Sequence, residues 1–137
     1  MIRTLALLLG AAAVVATVDL AHKALAISEQ GGAVPAHDRS AHYVAGLAAV
    51  TLAWTGAIAL VRSPGIALTG GLVLGGAIGN LASFALWPSL PGVPDPIIRG
   101  GIAFNLADVS AVLGLALLVP AILVFAVRNR DRLFEPL

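Results

Sequence analysis

The sequence predicts an all-α integral membrane protein with four transmembrane helices, and three observations predict it. Hydrophobic residues make up 59% of the 137-residue chain and charged residues only 11%, whereas soluble domains carry about 25% charged residues. Mean hydropathy is +0.98. Four apolar stretches reach the roughly 20 residues that a helix needs to cross a hydrocarbon core about 30 Å thick, and the connectors between them are short and punctuated by proline and glycine. At this length the chain is a single domain, residues 1–137.

Composition also excludes partners and chemistries. A formal net charge of +1 provides no basic stripe for phosphates, so no nucleic-acid partner is expected. With no cysteine there is no disulfide, no thiolate metal site and no cysteine nucleophile.

The first span is expected from about Thr4 to Ile27. Met1-Ile2-Arg3 ahead of an apolar run, with Ala24-Leu25-Ala26 behind it, imitates a secretory signal. However, the run is longer than a signal's apolar region, and Asp19, His22 and Lys23 precede the cleavage-like triplet, so the span is read as retained. A connector from Ser28 to Ala41 leads to the second span, His42 to Val61. Arg62-Ser63-Pro64-Gly65 is a tight turn into the third span, Ile66 to Trp87. There Gly71, Gly75 and Gly79 repeat every four residues, beside Gly70 and Gly76, which makes a smooth face for close helix packing. Pro88 to Gly101 holds four prolines and three glycines and is not helical throughout. The fourth span is expected from Ile102 to Val127.

Arginine asymmetry orients these spans. Arg3, Arg62, Arg128, Arg130 and Arg132 fall on the side of the termini, against Arg39 and Arg99 on the other, with Lys23 near the end of span one. The positive-inside rule then places both termini in the cytoplasm and the two longer loops outside, with Trp87 as an interfacial anchor.

Against this apolar background a few polar residues stand out. Asp19 lies about 12 Å below the outer end of its span, Asn80 about 10 Å, Asn105 about 5 Å and Asp108 about 9 Å, at 1.5 Å per residue. The coincidence of depth predicts one polar pocket opening outward. A carboxylate in a bilayer segment costs roughly 3 kcal/mol at a helix centre, so Asp108 is a functional candidate by default. Asp95, in Pro91-Gly92-Val93-Pro94-Asp95-Pro96, brackets the same entrance. Structural duties compete for each residue. Asp19 and Lys23 are spaced i,i+4 in the favourable order for an ion pair, and Asn80 suits a hydrogen bond between helices. Asp95 suits a solvated turn, and Asp108 suits a helix cap if the fourth helix starts later than Ile102. His22, His37 and His42 show no metal-binding spacing, and neither HExxH nor G-x-S-x-G occurs, so no metal or other cofactor is expected.

Gly75-Gly76-Ala77-Ile78-Gly79-Asn80, then Gly92-Val93-Pro94-Asp95, then Phe104-Asn105-Leu106-Ala107-Asp108, in this order, resemble the lipoprotein signal peptidases (signal peptidase II). Asp19-Leu20-Ala21-His22-Lys23 resembles that family's Asp-x-x-x-Lys motif. The resemblance implies a multi-pass aspartyl endopeptidase of the bacterial cytoplasmic membrane that cuts prolipoproteins just before their diacylglyceryl-cysteine. Its partners would be lipid-modified signal peptides and membrane lipids. Asp95 and Asp108 would be the catalytic dyad, Asn80 and Asn105 would position the substrate or the aspartates, and Asp19 with Lys23 would support the first span or the substrate. The chain departs from the family pattern where Asn80 is followed by Leu81-Ala82 rather than Asp-Arg. The family's Asn-x-Gly-Ala-Ala-Phe stretch has no clear counterpart, the first outer loop is short for a substrate-cradling β-structure, and the two aspartates stand closer in sequence than is typical. The same residues admit two other readings: a catalytically silent relative that binds lipidated peptides, and a small proton-coupled transporter, since intramembrane carboxylates also relay protons. The nearly all-apolar inner halves of spans two and four disfavour the transporter.

Overall fold

The structure, a computed structural model, describes residues 2–30, 32, 34–38 and 40–130. Arg39 and Arg132, counted above for orientation, lie outside the described residues. Four helices dominate: α1 (Ile2–Glu29), α2 (Ala41–Leu60), α3 (Pro64–Leu86) and α4 (Leu106–Arg128). All four are long and apolar enough to cross a membrane. Four three-residue strands lie between them: β1 (Ala36–Asp38), β2 (Gly92–Pro94), β3 (Ile97–Arg99) and β4 (Ile102–Phe104).

The starts of α2 and α3 each have a local cause. The Ser40 hydroxyl accepts from Tyr43 N to cap α2. Ser63 does the same for α3, accepting from Ile66 N, and Pro64 occupies the first turn, where a missing N–H costs nothing. That is why α3 begins two residues before the expected Ile66.

The third helix is the hub, and its glycines are the reason. A Cβ on Gly71 would stand 2.6 Å from Leu8 O and 2.7 Å from Ala11 Cβ; one on Gly75 would stand 2.6 Å from Val15 Cβ and 2.7 Å from Ala12 O. The contacts climb both helices together, so α1 and α3 run parallel, with backbones closer than any side chain would allow. Gly76 meets Ala107 and Gly114 meets Thr69, so α4 runs antiparallel to α3. On a third side Ile58 packs over Gly70, and Trp54 Nε1 donates to Gly70 O at 3.2 Å, which docks α2. Among surroundings as apolar as the helices themselves, close van der Waals packing of this kind is what favours association.

The last span needs correction. Its helix starts at Leu106, not Ile102. Ile102, Ala103 and Phe104 instead form β4, paired antiparallel with β3 in the register Ile97↔Phe104, Ile98↔Ala103, Arg99↔Ile102. The connection is Gly100-Gly101 with φ of 57° and 78°. A two-residue hairpin turn of type I′ needs positive φ at both positions, which glycine alone adopts freely. The connector between α1 and α2 also yields more β-structure than its length suggested, since β1 pairs with β2 through Ala36↔Pro94, His37↔Val93 and Asp38↔Gly92.

Replacing Gly75 by valine is expected to lower stability in detergent by roughly 1–3 kcal/mol through overpacking against α1. By contrast, Gly56→Ala, where nothing lies within 4 Å of the new Cβ, should leave the melting temperature unchanged or slightly raised. Equal behaviour of the two variants in a thermal melt would refute the close α1–α3 contact.

Candidate active site

The polar residues of the three spans converge on Lys23. Its ammonium sits at 0% exposure, 2.7 Å from Asp19 Oδ2 one helical turn below. It also donates to Asn80 Oδ1 at 2.9 Å and to Ser83 Oγ at 3.1 Å. One carboxylate as ion-pair partner and two neutral hydrogen-bond acceptors thus surround the ammonium, which is what a cation buried among apolar helices requires. Ser83 in turn donates to Gly79 O at 2.8 Å. Fully buried, with its own proton engaged and the neighbouring ammonium held by a carboxylate, Ser83 is a ligand of Lys23 rather than a nucleophile.

The arrangement continues outward through two amides. Asn80 Nδ2 donates to Asp108 Oδ1 at 3.0 Å. Asp108 is the third residue of α4 and forms a capping box with Asn105. Its Oδ2 accepts from Asn105 N at 3.2 Å, while its own N–H donates to Asn105 Oδ1 at 3.0 Å. The structural duty considered for Asp108 is therefore real: it lies in the first helical turn, not two turns down. Asn105 Nδ2 then donates to Asp95 Oδ1 at 2.6 Å. One residue consequently touches both aspartates, through its backbone N–H on one side and its side-chain amide on the other. The Asp19 carboxylate reaches the same place from α1, its Oδ1 accepting from Ala107 N at 2.9 Å.

Asp95 is not the solvated turn acid it resembles in sequence. Its side chain is 1% exposed, and its N–H donates to Pro35 O at 2.7 Å. The remaining carboxylate oxygen, Oδ2, is in contact with His37 Nδ1 from β1. Every predicted site residue (Asp19, Lys23, Asn80, Asp95, Asn105 and Asp108) therefore belongs to one continuous network. Two members were not predicted. Ser83 shares the face of Gly79 and Asn80, so helical spacing could have indicated it. His37 was set aside as a loop histidine, and nothing in its spacing connects it to Asp95; only strand pairing does.

Two apolar depressions meet at Asp108. One, of about 350 Å³, lies between α2, α3 and α4, lined by Leu47, Trp54, Leu74, Asn80, Asp108 and Leu115 among others. It exists because α2 packs chiefly on α3 and barely touches α4. The other, of about 530 Å³, runs along α4 beneath the β3–β4 hairpin, past Ile102, Phe104, Val109, Val112 and Ala116. Asp108 is half-buried and borders both, whereas Asp95 lies behind it. A third cavity, of about 500 Å³ beside Arg62, Pro120 and Arg128, includes none of these acids. No protein-family model matches the sequence, and no curated protein or solved structure matches it.

Lys23→Met would strand Asp19 uncompensated and is expected to cost about 3–5 kcal/mol of stability, the range for breaking one side of a buried ion pair. Adding Asp19→Asn should recover a large part of that loss in a denaturation series in detergent. A double variant no more stable than Lys23→Met alone would show that the pair is not what Lys23 supports.

Proposed function

We propose that this protein is an intramembrane aspartyl endopeptidase of the signal peptidase II type, which removes signal peptides from diacylglyceryl-modified prolipoproteins. The observation that carries the reading is the bridge from Asp95 to Asp108 through Asn105. Two carboxylates joined through one residue can divide the work of an aspartyl dyad, one acting as base and the other as acid. The ionised carboxylate takes a proton from water as its oxygen attacks the scissile carbonyl. The protonated one hydrogen-bonds the developing oxyanion. As the tetrahedral intermediate collapses, the C–N bond breaks and a proton passes to the leaving nitrogen. The products are a signal peptide with a new carboxylate and a lipid-bearing cysteine with a free α-amine. The low-dielectric surroundings strengthen both hydrogen bonds.

The shape around Asp108 supports this substrate class. A prolipoprotein presents two apolar branches at the cleavage point, a signal-peptide helix and a diacylglyceryl group, and two apolar depressions meet at Asp108. In this reading the four helices span the bacterial cytoplasmic membrane with both termini inside. The acid cluster then faces the outer leaflet, where lipid-modified precursors wait. A second reading, a silent relative that holds lipidated peptides without cutting them, is favoured by one observation: Asp95 is nearly sealed from solvent.

Cleavage separates the two. Purified protein in detergent should cut a diacylglyceryl-modified prolipoprotein, and Asp95→Asn and Asp108→Asn should each lower kcat by about 10²–10⁴-fold, the range for losing a general acid or base. Binding of the lipopeptide without cleavage by folded wild type would favour the silent relative. Cleavage that survives either substitution would remove the dyad.

A further inference from the structure

We propose that His37 is a positioning residue for Asp95, one arm of a two-sided clamp on its carboxylate. The proposal rests on the aspartyl-peptidase reading and names a member of that site outside the motifs that suggested it. Asp95 has two carboxylate oxygens, and each meets a side-chain nitrogen from a different element. Asn105, at the start of α4, donates to Oδ1, and His37 on β1 contacts Oδ2 through Nδ1. A carboxylate held at one oxygen can still swing about its Cβ–Cγ bond. Held at both, its plane is set, and with it the edge offered to Asp108 and to water.

The backbone delivers His37 to this place. The pairing His37↔Val93 lays β1 against the strand just before Asp95, and Asp95 N donates to Pro35 O at 2.7 Å. These main-chain bonds do not depend on the imidazole, so the strand pairing survives its removal. At 54% side-chain exposure His37 is the most exposed member of the network, while the carboxylate it touches is 1% exposed. An exposed side chain whose main contact is a sealed carboxylate contributes little to packing; its effect falls on that carboxylate.

Two measurements test this. In the first, kcat and KM for prolipoprotein cleavage are compared in wild type, His37→Ala and His37→Asn. The asparagine amide places an N–H near the position of the imidazole Nδ1. His37→Ala should lower kcat by about 10- to 100-fold, as small misplacements of catalytic groups do, with KM within about twofold, and His37→Asn should restore most of the loss. An unchanged kcat in His37→Ala, a loss confined to KM, or an asparagine variant as slow as the alanine one would each overturn the proposal. The second needs no activity: melting temperatures of His37→Ala, Asp95→Ala and the double variant in detergent. Coupled residues should give a double variant less destabilised than the sum of the singles. Additive losses would overturn the contact itself. A wild type that cleaves no substrate, with a coupled cycle, would leave the contact standing and remove the catalytic role together with the peptidase reading.

Discussion

A single buried ammonium organises this molecule. Lys23 is at 0% exposure in a bundle of leucine, alanine, valine and glycine, paired with the Asp19 carboxylate and hydrogen-bonded to Asn80 and Ser83. Meeting that demand fixes α1 against α3 in one register, because the acceptors come from both helices. It also explains Gly79, where a Cβ would stand 2.6 Å from Asp19 Oδ2. The Asp19 carboxylate has a second task. Its free oxygen accepts from Ala107 N, one of the N–H groups that the first turn of α4 leaves without an intrahelical partner. A side chain of the first helix thus caps the last one.

From Lys23 outward, the polarity of each bond dictates the next. An ammonium only donates, so Asn80 turns its carbonyl toward Lys23 and its amide toward Asp108. Asn105 performs the same conversion one step on, accepting from the Asp108 N–H and donating to Asp95. Each asparagine has one accepting and one donating end, and each stands where a donor and a carboxylate must be joined. A glutamate or lysine at either place would leave one neighbour unmatched. This accounts for an amide, rather than a charged side chain, at positions 80 and 105.

Much of this was legible in the sequence, for physical reasons that differ by element. The four-residue repeat of Gly71, Gly75 and Gly79 has a single geometric meaning in an apolar helix, and the structure puts α1 on that face. Asp19 and Lys23 announced their pairing by spacing, and the shared depth of Asp19, Asn80 and Asp108 anticipated their convergence. The start of α4 was misplaced because Ile102, Ala103 and Phe104 are as apolar as a helical turn, and hydropathy does not distinguish a strand from a helix over three residues. The deciding signal was Asn105 with Asp108, a side-chain pair three apart that closes a capping box. Strands β1 and β2 are too short to show a period of two, so the contact that carries His37 to Asp95 has no local signature.

The same capping box serves two purposes at once. Within a bilayer every polar group must find a partner in the protein, so a membrane fold has few polar residues to spare for chemistry alone. Here Asp108 both closes a helix and borders the apolar depressions, and Asn105 both caps and bridges. These positions carry the fold and the site together, and neither can be exchanged for one purpose without disturbing the other. Groups around them are freer. Asn80 is followed by Leu81-Ala82, and the acceptor shell of Lys23 is completed one turn of α3 further on, by Ser83. The neutral acceptors of Lys23 and the bridge to Asp95 thus come from positions 80, 83 and 105, and Leu81 and Ala82 are not among them.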